Sequence, residues 1–160
     1  IMDQHADLHY EAEVVLLIGK EGYVNEKKEA DRFVKGVTLG LDLTLRSLQK
    51  GLKAQGYPWE KAKAFDHSAP IGEFKDFRGY EDFLKLEFGC FVNGESRQHG
   101  RVRDMIFDYS ELLVEISRYW KLLPGDLIFT GTPEGVGKLE SGDRISLTSN
   151  QTDAFEWVIL

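Results

Sequence analysis

The sequence predicts an α+β fold in which strands outnumber helices. Sixteen glycines against four prolines in 160 residues call for many tight turns, which favours strands over a helix bundle. Leu84, Leu86, Phe88, Cys90 and Val92 alternate with mostly different neighbours and run into Asn93-Gly94, a favoured two-residue hairpin turn. The remaining segments follow one another without the regular βαβ order of a parallel sheet.

From the N-terminus, Glu13 to Gly19 is a short apolar run whose Val14, Val15 and Ile18 favour a buried strand. Asn25 to Val34 reads as a helix with Asn25 as N-cap and Ala30, Phe33 and Val34 on one side. Gly36 to Asp42 reads as a second strand. Leu45, Leu48 and Leu52 then recur at helical spacing, and Gly56 is placed to end that helix. Asp108 and Glu111 have the spacing of a capping box. They open a helical stripe of Leu112, Leu113, Ile116, Tyr119 and Leu123 that stops at Pro124-Gly125. Asp126 to Thr130, Arg144 to Thr148 and Phe155 to Leu160 complete the expected strands. Cys90 is expected to be a buried thiol, and Trp59, Trp120 and Trp157 are expected to pack.

Composition narrows the function classes. A net charge of −7 argues against a general nucleic-acid binder, which needs a basic face. No apolar run reaches bilayer length and no secretory signal is visible, so no membrane partner is expected. A single cysteine fits a reducing, cytoplasmic setting. No linker or internal repeat divides the chain, so residues 1–160 read as one domain. Ile1-Met2-Asp3 runs almost at once into a strand-like segment, which raises the expectation of missing N-terminal residues.

Four elements could carry chemistry. In Glu11-Ala12-Glu13, residues two apart on a strand share a face, so both carboxylates can reach one cation. Asp42, at the end of another strand, could complete a trio of hard oxygen ligands suited to Mg²⁺ or Mn²⁺ rather than zinc. Glu-x-Glu pairs also decorate solvated strand faces, and Asp42 could equally be an N-cap. Arg46 and Gln49 return to the helical face of Asp42, where they could orient it and meet an anionic substrate, or form a surface ion pair. Lys63, flanked by alanines and near aromatic residues, could stabilise an enolate or oxyanion, or be simply solvated. Gly125 to Gly137 feeds a strand into a glycine-rich loop whose N–H groups and threonine hydroxyls could hold a carboxylate. Gly137-Lys138-Leu139 lacks the Ser or Thr of a nucleotide-binding loop, which excludes that rival.

In order and spacing, the stretches HYEAEVVLLIG, LDLTLRSLQ, PWEKAKAFD, FVNGE and GDLIFTGTPEGVG resemble the fumarylacetoacetate hydrolase family, nearest its acylpyruvase and oxaloacetate-decarboxylase branch. The resemblance implies a mixed β roll with flanking helices, a homodimer, and a divalent cation, Mg²⁺ or Mn²⁺, on Glu11, Glu13 and Asp42. It implies that Lys63 assists catalysis and that Arg46, Gln49 and Thr130 contact or support a small 1,3-dicarbonyl or 2-keto acid. The implied reaction is C–C hydrolysis of an acylpyruvate, with oxaloacetate decarboxylation as a relative that shares the enolate. Isomerisation of an unsaturated diacid and non-catalytic metal binding are the alternatives. Two departures stand out: no counterpart to the family's N-terminal lid segment precedes Glu11, so His5 is not equated with the lid histidine. The ending SNQTDAFEWVIL also replaces the usual glycine-rich one.

Overall fold

The computed structural model describes residues 7–160, so Ile1 to Asp3 and His5 lie outside the described residues. Its first four strands are β1 (Leu8–Tyr10), β2 (Ala12–Ile18), β3 (Val34–Leu41) and β4 (Thr44–Leu45). Helix α1 (Arg46–Ala54), β5 (Lys75–Asp76), helix α2 (Tyr80–Phe83), β6 (Glu87–Val92) and β7 (Glu95–Arg101) follow. Helix α3 (Tyr109–Ser117), β8 (Leu127–Phe129), β9 (Gly137–Lys138), β10 (Arg144–Ser149) and β11 (Phe155–Val158) complete the order.

Among the described residues all strand pairs are antiparallel, and they form three sheets: β5-β3-β2-β8, β11-β10-β6-β7 and the small β4-β1-β9. The result is the strand-rich α+β architecture expected from the sequence. Strand β2 lies inside its sheet and is buried on both faces, which is why it reads as a continuous apolar run rather than an alternating one. Its partner register, Ala12 against Leu41 through Leu17 against Gly36, brings the start of β2 beside the end of β3. Val14, Leu16, Leu39 and Leu41 join Phe88, Cys90, Leu113 and Leu147 in one core. The β6–β7 hairpin turns at Asn93 and Gly94, both with positive φ (53° and 82°), as a two-residue Asn-Gly connection requires.

Several expectations are corrected. The segment expected as a helix over Asn25 to Val34 is a shorter 3-10 helix, Lys27–Arg32, and its N-cap is Glu26 rather than Asn25. Leu84 is not in the hairpin strand but caps the short α2. Leu48 is exposed, whereas Gln49 is the buried residue of α1, with Leu52 partly buried on the same side. In α3 the capping box of Asp108 and Glu111 is present, but the helix ends at Ser117 and leaves Tyr119 and Leu123 exposed. Trp59 and Trp120 are exposed, while Trp157 packs partly against the core. No helix among the described residues is long and apolar enough to cross a membrane.

Candidate metal centre

Glu11 immediately precedes β2, Glu13 is its second residue, and Asp42 follows the last residue of β3. The antiparallel register makes them neighbours: the Asp42 N–H donates to the Glu11 carbonyl at 2.8 Å. Asp42 does not cap α1, whose N-cap is Leu45 without a side-chain cap bond. Carboxylate oxygens of Glu11, Glu13 and Asp42 all lie within 4.8 Å of one another. Three hard oxygen donors at this spacing suit a divalent cation of the magnesium or manganese kind.

The protein's own cations surround the trio. Lys63 ends a 3-10 turn, Glu60–Ala62, whose Ala62 is fully buried and anchors it. Its Nζ donates to Glu11 Oε2 at 2.7 Å and to Asp42 Oδ2 at 2.5 Å. Arg46, the first residue of α1, donates through one guanidinium nitrogen to Glu11 Oε1 at 2.5 Å and through the other to Gln49 Oε1 at 2.9 Å. Gln49 is buried, and its amide nitrogen makes no hydrogen bond among the described residues.

Burial and charge separate the three carboxylates. Glu13 is 4% exposed, and burial first, then repulsion from Asp42 and Glu11, pushes its carboxyl up to about 7 against the Gly131 backbone hydrogen bond and the Lys63 charge. Burial also raises Asp42, only partly offset by Lys63. Burial would raise Glu11 too, but the hydrogen bonds from Lys63 and Arg46 outweigh it and hold that carboxyl below its ordinary value. Three carboxylates against two cations leave one negative charge when all are ionised. A divalent cation there turns the balance positive, relieves Glu13 and suits an anionic ligand. The residues fit the metal.

The glycine-rich loop behaves differently from expectation. The Gly131 N–H donates to Glu13 Oε2 at 2.7 Å, so the loop holds one of the protein's own carboxylates. Thr130 and Thr132 spend their hydroxyl protons on the Val14 and Ala12 carbonyls at 2.9 and 2.8 Å. Buried Gln98 joins this loop to β2, a connection that sequence reasoning missed. Nothing in the sequence marked it, since the polar segment Glu95–Arg101 reads as exposed although Gln98 and Gly100 are buried. His67 is exposed and adopts a positive φ of 63°. A cavity of about 440 Å³ touches the region through Thr130 and Gly131, but its lining includes none of Glu11, Glu13, Asp42 or Lys63.

The family model described as fumarylacetoacetate (FAA) hydrolase C-terminal matches residues 1–156. The chain is 39% identical over 151 residues to the oxaloacetate tautomerase YcgM of Escherichia coli (strain K12), covering 92% of this chain and 68% of that protein. It is 39% identical over 152 residues to the mitochondrial oxaloacetate decarboxylase of Dictyostelium discoideum, covering 94% and 70%. The fumarylpyruvate hydrolase from Pseudomonas aeruginosa, solved in complex with Mn²⁺ and pyruvate, superposes with a TM-score of 0.93 at 38% identity, covering 98% of this chain and 67% of that one. The chain thus spans about two thirds of the length of each of these relatives.

Proposed function

The chain belongs to the fumarylacetoacetate hydrolase family, and from that premise we propose that it is a divalent-metal-dependent enzyme acting on a small 1,3-dicarbonyl 2-keto acid. The favoured reaction is C–C hydrolysis of an acylpyruvate, with oxaloacetate decarboxylation as a side activity. The observation that carries this reading is the convergence of Glu11, Glu13 and Asp42 within 4.8 Å, with Lys63 and Arg46 bonded to the same cluster.

Glu11, Glu13 and Asp42 hold Mg²⁺ or Mn²⁺ in this proposal. When bound, such a cation supplies electrophilic polarisation of the substrate's keto and carboxylate oxygens. Lys63 carries its ammonium beside two of the ligands, where it can stabilise negative charge that develops on a departing enolate. Arg46 fixes Glu11 and Gln49 at once, and the Gln49 amide nitrogen is left to donate to a substrate oxygen. Thr130 binds through the Val14 carbonyl first and supports substrate only with its oxygen lone pairs. Dimer formation is part of the same proposal, checked by size-exclusion chromatography with light scattering.

A second reading is keto–enol interconversion of oxaloacetate, favoured by the name of the Escherichia coli relative. It uses the same enolate stabilisation and needs no attacking water. Pyruvate release from acetylpyruvate and oxaloacetate, with Mg²⁺ or Mn²⁺ against an EDTA control and a metal-only blank, separates these readings. Metal-dependent pyruvate from acetylpyruvate establishes hydrolysis. Loss of the oxaloacetate enol absorbance without pyruvate establishes tautomerisation. Turnover that survives Glu13→Ala would refute the metal mechanism.

A further inference from the structure

Ala12 separates Glu11 from Glu13, and its backbone groups face away from β3. The direction follows from the hydrogen bonds on either side: Asp42 N–H donates to the Glu11 carbonyl from the β3 side, and Thr130 N–H donates to the Val14 carbonyl from the β8 side. Backbone groups of even-numbered residues in this part of β2 therefore point toward β8. Yet β8 pairs only with Val15, Leu16 and Leu17, and beyond Thr130 the chain has left the ladder for the glycine-rich loop. The N–H and carbonyl of Ala12 have no strand to meet on that side.

Two side chains take the place of the missing strand. The Ala12 N–H donates to Gln98 Oε1 at 3.0 Å, and Thr132 Oγ1 donates to the Ala12 carbonyl at 2.8 Å. Gln98 Nε2 closes the ring by donating to Thr132 Oγ1 at 2.8 Å, and its second hydrogen goes to the Pro133 carbonyl at 2.9 Å. Gln98 is 2% exposed and comes from β7, an edge strand of the other four-stranded sheet. Its amide thus ties together β2, β7 and the loop whose Gly131 N–H holds Glu13.

We propose that Gln98 is a positioning residue for the metal centre, setting the backbone between Glu11 and Glu13 and the loop that orients Glu13. The inference rests on the proposed reading that these carboxylates bind a divalent cation. Groups bonded directly to metal ligands set ligand direction, and losing one commonly weakens metal binding by about 10–100-fold. Gln98 acts one step further back, through Ala12 and through the loop that carries the Gly131 N–H. A side chain of similar length without hydrogen-bonding atoms would keep the packing while leaving the Ala12 N–H and Pro133 carbonyl unpaired.

The test is an electron paramagnetic resonance titration with Mn²⁺ alone, on full chains shown to be folded by circular dichroism. Gln98→Met should weaken Mn²⁺ binding by about tenfold, the low end of that range, because its contact with the ligands is indirect. Leu113→Ala, which removes core bulk in α3 away from the centre, should keep wild-type affinity despite a lower melting temperature. Folded Gln98→Met with wild-type affinity would overturn the positioning role and leave the metal reading standing. Wild-type protein that fails to bind Mn²⁺ would overturn the metal reading, and this inference with it. Should Gln98→Met not fold, Gln98→Glu answers the same question. It keeps the acceptor for Ala12 but sets a carboxylate oxygen against the Pro133 carbonyl, so weaker Mn²⁺ binding is again expected and unchanged binding again overturns the role.

Discussion

Gly131 donates its backbone N–H to the carboxylate of Glu13 across 118 residues of sequence, at 2.7 Å. A loop whose composition suggests a cradle for a ligand's carboxylate is here part of the scaffold of the protein's own carboxylate cluster. That relationship explains why the loop must keep its shape.

The loop's tightest constraint is at Gly135. Its φ is +98°, and a Cβ built there would lie 2.1 Å from the Arg97 carbonyl oxygen. Backbone on one side and a left-handed conformation on the other leave no room to relax. Gly135→Ala should therefore destabilise the protein by about 2 kcal/mol or more, read as a lower melting temperature. Wild-type stability would show that the loop can move away from β7.

Lys63 should show effects of opposite sign on binding and turnover. Its ammonium occupies the space between Glu11 and Asp42 that a metal's charge would also exploit. Lys63→Met removes that competing cation, so Mn²⁺ affinity should rise, as measured by calorimetry. Turnover with saturating metal should nevertheless fall by about a hundredfold or more, because charge stabilisation at the departing enolate is lost. Unchanged turnover would remove Lys63 from catalysis.

The remote helix α3 offers a contrast. Asp108 accepts from the Glu111 N–H at 2.9 Å, and Glu111 accepts from the Asp108 N–H at 3.0 Å. Asp108→Ala should cost about 1 kcal/mol of stability, seen as a shift in denaturant midpoint. Metal binding and turnover should stay at wild-type values. A loss of metal affinity would mean that α3 is coupled to the cluster through the core.

This box was legible in the sequence because its chemistry is local: two residues three apart satisfy each other's backbone. The Asn93-Gly94 hairpin was legible for the same reason, and β2 because burial on both faces forces an unbroken apolar run. Glu11 and Glu13 could be paired from strand periodicity alone, but periodicity cannot say which strand lies alongside. The approach of Asp42 depends on the β2–β3 register, so the residues alone offered it as a third ligand or as an N-cap, and the family resemblance favoured the ligand. Gln98 was invisible because its partners lie 86, 34 and 35 residues away. The helix expected over Asn25 to Val34 is present only as the 3-10 helix Lys27–Arg32, because apolar spacing over so short a stretch does not fix helix type or ends.

Glu13 should also make stability depend on pH. Without metal, its carboxyl is raised from an ordinary 4.5 to about 7, with burial the leading cause. A carboxyl raised on folding binds its proton more tightly in the folded state. Its contribution is therefore fully present below about 4.5 and is lost as pH rises through about 7. A shift of this size is on the order of 3 kcal/mol, taken as an upper bound. A glutamine side chain does not titrate, so the unfolding free energy of Glu13→Gln relative to the metal-free wild type should rise by up to that amount between pH 4.5 and about 8. Saturating Mn²⁺ should cancel or reverse the trend, since the cation favours the ionised carboxylate that the glutamine variant lacks. Urea unfolding at a series of pH values, with EDTA or with Mn²⁺, measures both arms. A stability difference flat across pH in EDTA would mean that Glu13 is solvated, and that burial is not what tunes this cluster for a cation.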